Sequence, residues 1–286
     1  PRSIYGKFSF SRLCADAGVL DDFIEPAESI LTKAFSKLVA VDSRRWIKFL
    51  TDILPRFSCE LAASLSDFEK RMLQMFYITV FQEAADWRSH TTQANMQLLA
   101  DSPIMMHELN ELLSFNLERI DFIDQPVPLS FDCPLDLHCT YTRDQILIAM
   151  DYMTPKNVRE GVKWLPDKQV DVFFITLNKA DKDYSPTTMY NDYSINESLF
   201  HWQSQSTTSD TASTGQRYIN HRQRGSKVVL FVREFKQDSI GAAPYTCLGT
   251  AVYVKHTGSK PMNITWHLDQ PIPAKYLRKT NKLVVG

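Results

Sequence analysis

The 286-residue chain has no uninterrupted apolar stretch of the roughly 18 residues that a membrane-spanning helix needs. Its first ten residues, PRSIYGKFSF, hold no continuous apolar run of the kind that marks a secretory signal. They also lack an initiating Met, so a piece of a longer polypeptide is the expectation. The phosphate-cradling pattern GxxxxGK[ST] is absent, as are GxGxxG and the zinc-protease pattern HExxH. Nothing has the form of a serine-nucleophile elbow. Any ATP hydrolysis or DNA cleavage is therefore expected outside these residues. No catalytic residue, metal or cofactor is expected within them.

Cysteine is sparse. The five residues Cys14, Cys59, Cys133, Cys139 and Cys247 are odd in number and irregular in spacing. That argues against a disulfide framework and for a reducing cytoplasm. Cys133, His138 and Cys139 lie close together, but the repeated ligand pairs of a structural zinc site are missing, so packing is the expected role.

What is present fits a folded chain of two domains. Hydrophobic residues make up 44% and charged residues 23%, ordinary values for a globular protein long enough to bury a sizeable core. The net charge of −1 conceals an asymmetry. Residues 1–130 carry 13 Lys and Arg against 18 Asp and Glu, whereas the remainder carries 19 against 15. The second half is thus the better partner for a polyanion.

The first 120 or so residues have helical periodicity. Between Ala27 and Leu54, apolar residues recur at Ile30, Leu31, Phe35, Leu38, Val39, Trp46, Phe49, Leu50, Ile53 and Leu54. Asp42-Ser43 is expected to split this stretch in two and cap the second helix, which Pro55 ends. Ser66 or Asp67 caps FEKRMLQMFYITVFQEA. A run from Thr92 to Leu99 leads to Ser102-Pro103, which suits a Ser cap and a first-turn Pro on a helix through Leu117. Pro126, Pro128 and Pro134 then mark an extended connector near residues 121–136.

Beyond it the period changes. TRDQ at Thr142 has the form of a capping box, and a short helix is expected after Pro155. The runs VDVFFITL, SLFHWQSQ, KVVLFVREF, TCLGTAVYVKH and MNITWHL are β-branched and aromatic, with turn residues between them. The expected fold class is α+β: a helical domain over 1–125, then a curled sheet or barrel with one or two helices over 136–286.

Two stretches carry candidate chemistry. In Ser185–Asp210, the residues Tyr190, Asp192, Tyr193, His201, Trp202 and Gln203 interleave flat rings with side chains able to read a base edge. The alternative is a strand with one aromatic face in a core, on which Leu199, His201, Gln203 and Gln205 share one side and Phe200, Trp202 and Ser204 the other. Asp192 can equally cap a turn. Ser204–Thr214, dense in Ser and Thr, is expected to be an exposed loop. In TGQRYINHRQRGSK, the residues Arg217, Arg222, Arg224 and Lys227 can contact phosphates from a turn, with Lys260 as a further contact, or can form an ordinary solvated hairpin.

The ordered segments LHCTYTRDQI, YSPTTMYNDYSINESLFHWQSQ, GQRYINH, VLFVRE, APYTCLG and GSKPMNITWHLD resemble the C-terminal domain that follows the motor in certain superfamily 2 helicase-like bacterial proteins. The best-understood members of that group are the SauUSI-type type IV restriction enzymes. The helical half is similar to their coupler. The resemblance implies an SRA-like, PUA-related domain that flips 5-methylcytosine or 5-hydroxymethylcytosine in double-stranded DNA into an aromatic pocket. It also implies a motor and a phospholipase-D-like nuclease elsewhere in the same chain, using ATP and Mg. A protein-interaction or general nucleic-acid-binding module appended to a helicase is the alternative.

Overall fold

The computed structural model describes residues 2–178 and 192–280, which form two compact units. The first comprises residues 1–126, 132–158 and 237–244; the second comprises 127–131, 159–236 and 245–286. The chain is α+β, with an N-terminal helical region followed by a mixed sheet with helices.

The first unit contains α1 (Phe10–Asp16), α2 (Glu28–Leu38), α3 (Arg44–Ile53), α4 (Cys59–Ser64), α5 (Asp67–Phe81), α6 (His90–Ala100) and α7 (Pro103–Glu118). Serine caps set most of the starts: Ser9, Ser43, Ser58, Ser66 and Ser89 each accept a backbone N–H of the first turn. At α5 the capping box is complete, because Glu69 reaches back to the Ser66 N–H. Helix α5 is buried continuously from Met72 to Val80, so it has no solvent face over those turns and forms the middle of the unit. One expected cap differs. Ser102 spends its hydroxyl on the Ala27 N–H and the Leu98 carbonyl, and Glu25 instead accepts from Ile104 and Met105 in the first turn of α7. A carboxylate suits that position because it faces the positive end of the helix.

Residues 132–158 hold a two-residue strand β1 (Thr140–Tyr141) and α8 (Arg143–Ala149), which begins with the expected Thr142–Gln145 capping box. Ser43, the cap of α3, and Arg45 in its first turn both bond Asp136, whose side chain is 1% exposed, and Asp42 accepts from Thr140. Buried Gln145 donates to Thr79 of α5. All five cysteines are free thiols. Cys133 Sγ donates to the Ala149 carbonyl, and burial pushes its thiol up to about 12, so it stays protonated and behaves as a packing residue.

The second unit is built on β2 (Val162–Leu165), β3 (Val170–Asn178), β4 (Tyr193–Ser194), β5 (Leu199–Gln203) and α9 (Ser213–Ile219), then β6 (Lys227–Phe235). A small hairpin of β7 (Gln237–Asp238) and β8 (Gly241–Ala242) clusters with the first unit. The chain continues as β9 (Tyr245–Thr257), β10 (Asn263–Leu268) and α10 (Ala274–Thr280). The sheet order is β2-β3-β6-β9-β10-β5-β4. All neighbours on this path are antiparallel except β3 and β6, which run parallel from Val170↔Lys227 to Asn178↔Phe235. A parallel pair needs a long crossover, and here β4, β5 and α9 lie within it. One face of the sheet buries Phe173, Phe200, Trp202, Ile264, Trp266 and Leu268 together with Tyr218 of α9.

Candidate nucleic-acid interface

Strand β5 alternates between half-buried and buried residues, so its two faces have different jobs. Phe200 and Trp202 point into the core, where the Trp202 ring lies 4.4 Å from Phe173 and meets Tyr218 edge-on. Trp202, a candidate for stacking on a base, is therefore a core residue. His201 and Gln203 occupy the other face.

Cross-strand register extends that second face into a row. His201 is opposite Tyr193 on β4 and opposite Thr265 on β10, and Thr265 is opposite Lys255 on β9. Directly paired residues share a face, so Tyr193, His201, Thr265 and Lys255 project together. The Tyr193 and His201 rings stack at 4.8 Å with planes 15° apart. In the next row Gln203 donates its amide to Asn263 Oδ1 at 3.2 Å. Asp192, 8% exposed, accepts the Gln203 backbone N–H at 2.8 Å and so pins the entry of β4 against the end of β5. Tyr190 lies outside the described residues. Flat stacked rings, an amide pair and a lysine along one face are the groups that a base and its phosphate require.

The basic stretch contains a short helix where the sequence pattern reads as a turn. Arg217, on α9, directs a two-pronged pair at buried Asp171 (2.8 and 2.9 Å) and stacks over Trp164. Its fork is committed within the unit. Arg222 and Arg224 are exposed on the turn that follows, and Lys227 is exposed at the first position of β6. His221 anchors that turn: its Nδ1 donates to the Ser226 carbonyl and its Nε2 accepts the Tyr253 N–H, which fixes a neutral ring. Burial, reinforced by Arg222 and Lys227, holds its imidazole below the ordinary value. The unfolded chain therefore takes up a proton near 6.5 while the folded one does so only at lower pH. The stability contribution is complete above about pH 6.5 and is lost as pH falls through the folded value. Thermal melts between pH 8 and 5 should show this loss in the wild type and not in His221→Gln; parallel curves would contradict it.

The Ser- and Thr-rich stretch is more buried than its composition implies. Ser204, Thr208 and Ser209 are buried, and Ser204 exchanges two hydrogen bonds with the Met262 backbone. Helix α9 closes on this loop at Gly215, where a Cβ would sit 2.0 Å from the Ser209 carbonyl oxygen. Asp210 accepts from Ser259, which holds its carboxyl below the usual range, and exposed Lys260 donates its backbone N–H to Thr208.

Sequence reasoning missed Asn263, Thr265 and Lys255 as members of the face. For Asn263 and Thr265 the signal was the alternation in MNITWHL, in which every second residue is polar; Lys255 joins them only through the β9–β10 register. No curated protein matches the chain. A family model, described as a domain of unknown function (DUF3427), matches residues 135–279. That span takes in residues 135–158 and 237–244 of the first unit and most of the second. With half of its length matched, the chain belongs to the DUF3427 family.

Proposed function

We propose that this chain is the coupler and recognition portion of an ATP-dependent, modification-dependent restriction enzyme. In this reading the second unit binds double-stranded DNA and accepts a flipped cytosine carrying a 5-methyl or 5-hydroxymethyl group. The motor and nuclease, with their ATP and Mg, belong to other parts of the same polypeptide.

The observation that carries the reading is the polar face of β4, β5, β10 and β9, with its Tyr193–His201 stack beside the Gln203–Asn263 pair. Extruding a base costs a few kcal/mol of lost stacking. Stacking on an aromatic ring returns about 1–3 kcal/mol per base. The amide pair offers both a donor and an acceptor to the exposed edge, while Lys255 and the Arg222–Lys227 turn supply the sequence-independent attraction. Asp192, bonded to the β5 backbone, positions this face. A methyl group adds only about 0.8 kcal/mol of burial, so preference for the modified base is modest unless the pocket shape amplifies it.

The test is a binding titration with duplexes of one sequence carrying 5-methylcytosine, 5-hydroxymethylcytosine or cytosine. The wild type should prefer a modified duplex. His201→Ala should abolish that preference while leaving the salt-sensitive binding near the wild-type level. Equal affinity for all three duplexes points instead to a general nucleic-acid-binding module. Indifference to DNA points to a protein-interaction module appended to a helicase.

A further inference from the structure

The first unit carries a cleft of about 630 Å³ that plays no part in the DNA reading. One wall is a stripe of α7: Glu108, Glu111, Leu112 and Phe115. This stripe covers two helical turns, about 10 Å along the axis, so the cleft is elongated along α7. Phe10 of α1 and the following Val19 and Leu20 line the opposite side. Four of these apolar side chains are open to solvent: Val19 is 78% exposed, Phe10 53%, Phe115 39% and Leu20 36%. Single exposed apolar residues are ordinary, but a contiguous set around one concavity marks an interaction surface.

The wall is also built to keep its shape. Glu108, 5% exposed, accepts the Phe10 and Ser11 N–H groups at 2.6 and 2.8 Å, fixing the start of α1 against α7. A second apolar hollow of about 250 Å³ lies on the other side of α7 and shares His107 with the first.

Charge identifies the occupant. Among the described residues no lysine or arginine lines the cleft, whereas Glu108 and Glu111 do. Exposed Asp16, Asp21 and Glu118 follow the lining residues Cys14, Leu20 and Phe115 within three positions. Of the cations equally near in sequence, Arg2 is paired with Asp238, Arg12 is paired with Asp22 and Glu28, and Arg119 lies over the Phe115 ring, while exposed Lys7 is outnumbered by the exposed carboxylates Asp16, Asp21, Glu111 and Glu118. We infer that this cleft is a docking groove for a basic amphipathic helix, whose apolar stripe seats between α1 and α7 and whose lysines or arginines face the acidic rim. Recognition of this kind reads apolar anchors at i, i+3, i+4 and i+7, and the charges set orientation and partner choice.

The probe is a fluorescent 16-residue helix of Leu and Lys with Leu at those anchor positions, titrated into the full chain. Two controls accompany it: the same helix with Glu in place of Lys, and a scrambled peptide of identical composition. The Lys helix should bind, and both controls should bind at least roughly tenfold more weakly. Val19→Asp and Glu111→Lys, both at exposed positions, should each weaken the Lys helix by a similar factor without lowering the melting temperature. Equal binding of the Lys and Glu helices would overturn the inference, as would binding that survives both substitutions. Self-association of the wild type that Val19→Asp abolishes would overturn it in favour of a second copy of this chain.

Discussion

If the proposed DNA reading holds, replacing both Arg222 and Arg224 with Glu should lower duplex affinity alike at every sequence and every cytosine modification. Both side chains are exposed on the turn after α9, so the fold should tolerate the change. Each phosphate left without its cationic partner takes about 0.9 off the slope of log affinity against log salt, so the double variant should flatten that slope by roughly 2. At about 0.1 M salt, where charges are screened beyond about 10 Å, the affinity should fall on the order of 10- to 100-fold. The expected drop shrinks as salt rises. A double variant that binds like the wild type at every salt concentration would remove this turn from the electrostatic footprint.

Arg217→Ala has the opposite signature, a large loss of stability. Asp171 is fully buried, and burial raises its carboxyl above the ordinary range even though Arg217 pulls it down. The pair is thus no great stabiliser as a whole, yet removing the guanidinium leaves a buried carboxylate with nothing to replace it. Breaking such a pair costs about 3–5 kcal/mol. The stack over Trp164 disappears as well. In a chain of this size that corresponds to a fall in melting temperature of roughly 6–20 °C. Arg217→Lys should recover only part of it, because an ammonium cannot reproduce the fork. A melting temperature within about 2 °C of wild type for Arg217→Ala would contradict this account of the pair.

These two arginine sites show what local sequence conveys and what it does not. Arg217, Arg222 and Arg224 look alike in GQRYINHRQRG, since all three are cations near glycines. Only the parallel register of β3 with β6, and the packing of α9 beneath it, bring Asp171 to Arg217 across 46 positions. The same limit applies to the sheet face. Alternation in SLFHWQSQ separates Phe200 and Trp202 from His201 and Gln203, but it does not say which side is the core; the answer comes from Phe173, Ile264 and Trp266 on neighbouring strands. Thr265 and Lys255 join His201 through pairings of β10 with β5 and β9 that no short-range pattern encodes. Where structure is made locally, the sequence is explicit. The Ser66–Glu69 and Thr142–Gln145 boxes are complete within four residues, and the change from helical to alternating period separates the helices of the first half from the strands of the second.

The central claim is that the face bearing Tyr193 and His201 receives a cytosine from duplex DNA. It is tested most directly by photocrosslinking the chain to a duplex containing a single 5-iodocytosine, then mapping the attached peptide by mass spectrometry. The account predicts attachment within residues 192–203 or 263–265, at Tyr193 or His201 foremost, and loss of that product in a Tyr193→Ala, His201→Ala double variant. Attachment only to the helices of the first unit, or a yield unchanged in the double variant, would contradict it.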